Sequence, residues 1–225
     1  MTDAAGVALD AMTPHLAMWA RVDVTAPPDD VAAWLARAAA VRASDEDPHR
    51  RYIDRFDAPQ HDDLARASRY LAALDDVRAR ADRGEALTLD ALTRTQAIVL
   101  GLDGAAPLRV TDAFARGGAH RYPFVEDLAE RLDARLACWR APHRDAVVAA
   151  CGLYLDVIFT HPFDDGNTRA ASLCYERVCR AARRPTPRFE DLVRLRKDPG
   201  DARGFWRMVR LSAASIVGQT RRAHP

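Results

Sequence analysis

Apolar residues recur at three- and four-residue spacing through most of the chain, which predicts helices. One helix opens at Asp29-Asp30 and runs through Trp34 to about Val41. The polar stretch Ser44–His61 contains two prolines and reads as a loop or a short helix. The next helix covers Leu64–Asp82, with Leu64, Ala67, Leu71, Leu74, Val77 and Arg78 on one face, and Gly84 ends it. Thr88 is placed to cap Leu89–Leu100, which the glycines and proline of "GLDGAAP" then break. Residues 108–124 change period. Side chains alternate about Gly117-Gly118, which predicts a β-hairpin with a flexible tip. Helices follow at Val125–Trp139 and, after Pro142-His143, at Arg144–Thr160. The second of these carries the apolar stripe Val147, Val148, Cys151, Leu155, Ile158, Phe159. A further helix is expected from about Asn167 to Arg183, with Leu173, Val178 and Ala181 inward, before Arg184-Pro185-Thr186-Pro187. Helices near Phe189–Arg196 and Asp201–Arg221 close the sequence. One hairpin among so many helices makes the fold class mostly α.

Composition narrows the class. The 225 residues are 48% hydrophobic and 29% charged, as in globular domains large enough for a real core. Cys138, Cys151, Cys174 and Cys179 form no C-x-x-C pair, so they read as small buried hydrophobes of a reducing compartment. No stretch approaches the ~18 apolar residues of a membrane helix, and the first residues carry no basic leader. The expected location is therefore cytoplasmic and without a membrane partner, compatible also with delivery into another cell by a leaderless secretion route.

Charge is uneven. Residues 176–225 hold 13 Lys/Arg against 5 Asp/Glu, a net of +8 in a chain whose total is +1. These cations lie along expected helices with no interleaved aromatic stacking platforms, which argues against a nucleic-acid partner.

The chemistry concentrates in "HPFDDGNTR", residues 161–169. Pro162 must turn the chain after His161, and Phe163 is the one large apolar anchor. Gly166 permits a tight path into a new helix whose first N–H groups have no intrahelical partner, a ready anion site. Arg169 in its first turn can fork a phosphate, Asp165 can hold Mg²⁺, and His161 can accept a proton near neutral pH. A plain helix–loop–helix corner also carries Asp, Gly and Asn as caps and turn residues, so the chemistry alone leaves both readings open.

These nine residues resemble the H-P-F-x-[D/E]-G-N-x-R motif of the Fic/Doc superfamily. Gly104 through Tyr122, with Arg109 inside it and Tyr122-Pro123 at its end, matches the place of that family's flap hairpin. The resemblance covers about residues 65–210. It implies a Fic-type helical bundle with a small β-hairpin flap, in which residues 1–64 form a helical N-terminal extension and 65–225 the catalytic domain with its C-terminal helices.

It also implies roles. His161 would be the general base, Asp165 the Mg²⁺ ligand, and Gly166, Asn167, Thr168 and Arg169 the nucleotide- and phosphate-binding set. Gly117, Gly118, Ala119, His120, Arg121 and Tyr122 would form the flap that docks a protein segment by strand addition. The implied reaction moves AMP from ATP, with Mg²⁺, to a Ser, Thr or Tyr hydroxyl of another protein.

Two residues depart from the pattern. Thr168 stands where glycine or lysine is usual, though its backbone N–H still serves. Ser172 replaces the second arginine of R-x-x-R, leaving Arg121, Arg177 and Arg180 as substitutes by sequence. A Doc-like protein phosphotransferase, transfer of another nucleotide-derived group, and a degenerate Fic fold acting as a binding module are the alternatives. Ser172…Glu176 and Thr186…Glu190 share the spacing of the family's inhibitory helix but lack the Gly or Asn that follows it.

Overall fold

The computed structural model describes residues 18–19, 22–42, 47–53, 64–115, 118, 120–140, 144–195 and 199–220. Its helices are α1 Asp29–Ala40, α2 Arg50–Ile53, α3 Leu64–Asp82, α4 Leu89–Leu100, α5 Leu128–Trp139, α6 Ala146–Thr160, α7 Asn167–Ala181, α8 Phe189–Arg194 and α9 Ala202–Thr220. Between α4 and α5 lie two antiparallel strands, β1 Ala113–Ala115 and β2 His120–Tyr122, paired Ala113↔Tyr122, Phe114↔Arg121 and Ala115↔His120. The fold is mostly helical with a small hairpin, as the sequence pattern predicts. Gly117 and Ala119 of the expected flap, Pro142 and His143, and much of Ser44–His61 lie outside the described residues. Among the described residues no helix is long and apolar enough to cross a membrane.

Helix α6 is the centre. It is buried on nearly all sides, not along one stripe, and packs on α5, α7 and α9. Asp145 caps its start by accepting the N–H groups of Val147 (2.8 Å) and Val148 (3.3 Å). Gly152 is required where the Trp139 ring crosses the helix, because a Cβ there would overlap the ring. One charge is buried within this apolar helix. The Asp156 carboxylate, 0% exposed, accepts from the indole N–H of Trp19 (2.6 Å), that of Trp139 (2.5 Å) and the Arg135 guanidinium (2.9 Å).

The expected faces hold with local corrections. On α3 the inward residues are Ala67, Tyr70, Ala73, Leu74, Val77 and Ala81, and Leu71 is 42% exposed. Leu71 falls outside the arc defined by positions 67, 70, 74, 77 and 81, so its size does not draw it in. On α7, Leu173 is buried as expected, but Val178 is only half-buried and Ala181 is exposed. Helix α7 is covered by α3 on one side and α6 on the other, so its buried arc is wide and includes polar residues. The chain turns out after Ala181, with Arg183 in the left-handed region (φ 53°) and the Arg184 N–H bonded back to the Cys179 carbonyl at 2.9 Å. Helix α5 starts at Leu128, not Val125, because a turn closes first from the Leu128 N–H to the Val125 carbonyl.

The described residues before α3 join the same core: Trp19, Val31, Leu35, Ala38, Tyr52 and Ile53 pack in one cluster with the bundle. His49 is fully buried between Tyr70 (2.8 Å to its hydroxyl) and Glu176 (3.1 Å), and Arg78 closes on the other Glu176 oxygen at 2.7 Å. Glu176 is thus consumed by a structural network. Burial pushes its carboxyl up, but His49 and Arg78 outweigh it and hold the group at about 2 against an ordinary 4.5. A carboxyl lowered on folding stabilises above its unfolded value and loses that contribution as pH falls. Urea midpoints should therefore drop as pH goes from 4.5 towards 2, and Glu176→Gln should flatten this part of the profile; an unchanged slope in the variant would remove the assignment.

Candidate active site

The loop between α6 and α7 is built residue by residue. His161 ends α6 in the left-handed conformation (φ 49°, ψ 57°), its N–H still bonded to the Val157 carbonyl at 2.9 Å. That conformation is costly for a non-glycine residue, and a strained backbone held by its surroundings is a mark of functional positions. Pro162 turns the chain inward and Phe163 is buried to 1% exposure, as its apolar character predicts. The Asn167 carboxamide then closes the loop on itself, accepting the Phe163 N–H (3.0 Å) and donating to the Phe163 carbonyl (2.7 Å). In this state its side chain is a loop clamp, so what it offers to a ligand is its backbone N–H at the start of α7.

Gly166 caps α7 with φ 80°, and a Cβ built on it would lie 2.5 Å from the Gln96 side-chain nitrogen. Gln96, fully buried on α4, donates to the Asp165 carbonyl at 2.7 Å and so fixes the turn from a second helix. The first N–H groups of α7 lie at this end, with the positive pole of the helix dipole. The Asp165 carboxylate folds back over it. Its Oδ1 accepts the Gly166 N–H at 2.6 Å and its Oδ2 faces Arg169 at 2.8 Å. Arg169 is itself buried (side chain 7% exposed) and rests on the Val99 carbonyl at 3.4 Å. Asp165 stays 65% exposed, and Arg66 of α3 approaches the same Oδ2 at 3.9 Å. Thr168 is half-buried, and its carbonyl accepts the Ser172 hydroxyl at 2.9 Å.

The flap is tied to His161 by Arg109. This residue is 2% exposed and makes no ion pair among the described residues; its guanidinium donates to the carbonyls of His161 (2.7 Å), Thr111 (2.6 Å), Pro123 (2.9 Å) and Thr160 (3.3 Å). Two of these are the last carbonyls of α6, where a cation is favoured. Its backbone N–H adds a bond to the Pro162 carbonyl at 2.9 Å. Burial lowers its guanidinium value, with Asp112 and Asp164 acting against that shift. The base of the flap and the end of α6 thereby form one unit.

Tyr122, grouped by sequence with the docking residues, turns inward. Its ring stacks on His161 with centroids 4.2 Å apart and planes 12° from parallel. The outward residues are Arg121, paired with Asp112 at 2.6 Å, and the exposed Phe114 and Val110. The His161 Nδ1 is buried without a hydrogen-bond partner among the described residues. Burial lowers the imidazole below its ordinary value, Arg109 adds to this, and the Ile158 backbone opposes it without meeting hydrogen-bond geometry at Nδ1. The ring is therefore biased to the neutral form, able to accept a proton.

Among the described residues no cluster of three or more His, Cys, Asp or Glu could hold a metal unaided. One exposed carboxylate, Asp165, beside the N-terminus of α7 is instead the kind of donor set that suits Mg²⁺, which takes few protein carboxylates and fills its shell with phosphate oxygens and water.

The structure thus brings together His161, Asp165, Gly166, Asn167, Thr168 and Arg169, with Tyr122 against the first. It does not bring in the substitutes for the missing arginine. Ser172 is 0% exposed and its hydroxyl is spent on the Thr168 carbonyl, so it offers no cation to the site. Gln96 and Arg66 were not singled out by sequence. Gln96 left one legible sign, a polar residue on the inward face of α4 in line with Leu92 and Val99; nothing local marks Arg66.

No family model matches the sequence, and no curated protein does. The fold does have counterparts among solved structures. It is similar to a Fic-domain-containing signalling protein from Bacteroides thetaiotaomicron at a TM-score of 0.60 and 13% identity, over 87% of this chain and 95% of that one. It is also similar to a Fic family protein from Desulfovibrio desulfuricans at a TM-score of 0.50 and 15% identity, over 89% of this chain and 77% of that one. At such identities the likeness establishes the fold, and the fold is that of Fic domains.

Proposed function

We propose that this chain is a Mg²⁺-dependent transferase that moves AMP, or a related nucleotide-derived group, from a nucleotide to a Ser, Thr or Tyr hydroxyl of another protein. One observation carries the reading: a neutral, strained histidine and an anion-binding helix end are held within one nine-residue loop, which Arg109, Gln96 and Asn167 fix from three sides. A simple helix corner does not need a buried glutamine and a buried arginine from other elements.

His161 accepts the hydroxyl proton on Nε2, since Nδ1 is buried. The freed oxygen attacks the α-phosphorus of ATP, the bond from that phosphorus to the bridging oxygen breaks, and pyrophosphate leaves with the electron pair. Backbone N–H groups at Gly166, Asn167 and Thr168 and the Arg169 fork receive phosphate oxygens. For that, Asp165 leaves the helix end it covers. Mg²⁺, when bound with the nucleotide, would offset phosphate charge beside Asp165. The target segment lies along the flap, whose two-stranded sheet leaves an edge of each strand unpaired among the described residues.

One observation favours a second reading. Ser172 is buried and uncharged, so α7 offers no second arginine to distal phosphates, which suits a phosphotransferase holding the nucleotide in reverse. Intact mass of proteins treated with the chain, Mg²⁺ and ATP separates the two. A gain of AMP supports the first and a gain of phosphate the second. No mass gain on any protein, or an equal gain with Asp165→Ala, would sink both.

A further inference from the structure

We propose that Arg66 of α3 supplies the second guanidinium of the phosphate grip, which Ser172 does not provide. This rests on the phosphate-binding reading above and narrows the ligand to a polyphosphate chain.

The candidates suggested by sequence are engaged elsewhere. Arg177 is buried and donates to the Glu85 carbonyl at 2.5 Å and the Ala86 carbonyl at 3.2 Å. Arg180 pairs with Asp82 at 2.7 Å, and Arg121 with Asp112 on the outer side of the flap. Arg66 reaches the site itself. It and Arg169 approach a single atom, Asp165 Oδ2, at 3.9 and 2.8 Å, from two different helices.

That atom belongs to a carboxylate lying over the start of α7, with its other oxygen on the Gly166 N–H at 2.6 Å. The carboxylate shows where an anionic oxygen sits in this cradle and which cations meet it. A phosphate offers the same acceptors with more charge.

The two arginines are not equivalent. Arg169, 7% exposed and resting on Val99, is set deep beside the helix end. Arg66 is 39% exposed at the rim and can follow a chain of phosphates outward. One turn along α3, Arg69 donates to the same Val99 carbonyl at 3.3 Å and so anchors this part of α3 against the end of α4. Arg169 therefore holds the phosphate nearest the helix, and Arg66 the distal ones. In AMP transfer the distal pair is the leaving pyrophosphate, which gains charge as the bond to the α-phosphorus breaks; Arg66 is placed to hold it.

The test is calorimetric titration of wild type, Arg66→Gln and Arg66→Lys with Mg-ATP, inorganic tripolyphosphate and AMP. Arg66→Gln is expected to weaken Mg-ATP and tripolyphosphate by about ten- to a hundred-fold, the loss of one charge-assisted hydrogen bond. AMP affinity should not change, and Arg66→Lys should fall between. Wild-type affinity for Mg-ATP in Arg66→Gln, with the wild type itself binding well, would overturn this inference alone. An equal loss for AMP and ATP would also overturn it, since Arg66 would then act through Asp165. If the wild type bound neither ATP nor tripolyphosphate, the phosphate-binding reading would fall with it.

Discussion

Replacing His161 by alanine should lower group transfer by about 10²–10⁴-fold, the usual contribution of a positioned proton acceptor, with little change in stability. The stability side follows from opposing terms at this one residue. The substitution removes a ring stacked on Tyr122, worth roughly 0.5–1.5 kcal/mol. It also removes a buried Nδ1 that has no hydrogen-bond partner among the described residues, an unfavourable arrangement in the wild type. The left-handed backbone remains for either residue. Nucleotide affinity should persist, because Arg169 and the start of α7 are untouched. Single-turnover rates, melting curves and nucleotide titrations together check this. Retained activity would show that His161 is not the base; a collapse of stability would show that it is chiefly structural.

The pH profile carries a sign. Burial lowers the imidazole from its ordinary 6.5, so the ring stays neutral to lower pH than a solvated histidine. A base must be neutral to act. The acid limb of the rate should therefore reach half-maximum below pH 6.5, and a limb well above that value would place the proton transfer on another group.

The largest effect on folding is expected at Asp156. Asp156→Ala should cost about 3–5 kcal/mol, since it removes the carboxylate that pairs with the buried Arg135 charge. The Trp19 and Trp139 indole N–H groups lose their acceptor in the same step. Measured against a typical domain stability of about 5–15 kcal/mol, that is a large share. Asp156→Asn keeps the shape and one acceptor oxygen but not the charge, and should cost less. Urea denaturation of the three proteins orders them. A loss of under ~1 kcal/mol in the alanine variant would mean that water or rearrangement satisfies Arg135.

The sequence by itself determined the parts whose cause lies within a few consecutive residues. The helices at Leu89–Leu100 and Ala146–Thr160 follow from a Thr or Asp cap and the apolar content behind it. The turn at Pro162, the burial of Phe163 and the glycine that starts α7 were legible for the same reason, because proline, a large ring and a left-handed backbone are each local demands. The reactive groups were legible too, since nine contiguous residues carry them. Only the tertiary structure decided which of these groups pair, because pairing depends on elements far apart in the chain. Gln96 meets Asp165 across 69 positions and Arg109 meets His161 across 52, and although Gln96 shows as a polar residue on an inward face, nothing local names the partner of either. Ser172 could be read as a missing arginine, but not as a buried residue. That depends on α3 and α6 covering both sides of α7, which removes the polar face that helical periodicity would otherwise reveal. The approach of Arg66 to Asp165 was hidden for the same reason: α3 was legible as a helix, but which of its turns faces residue 165 is set by packing.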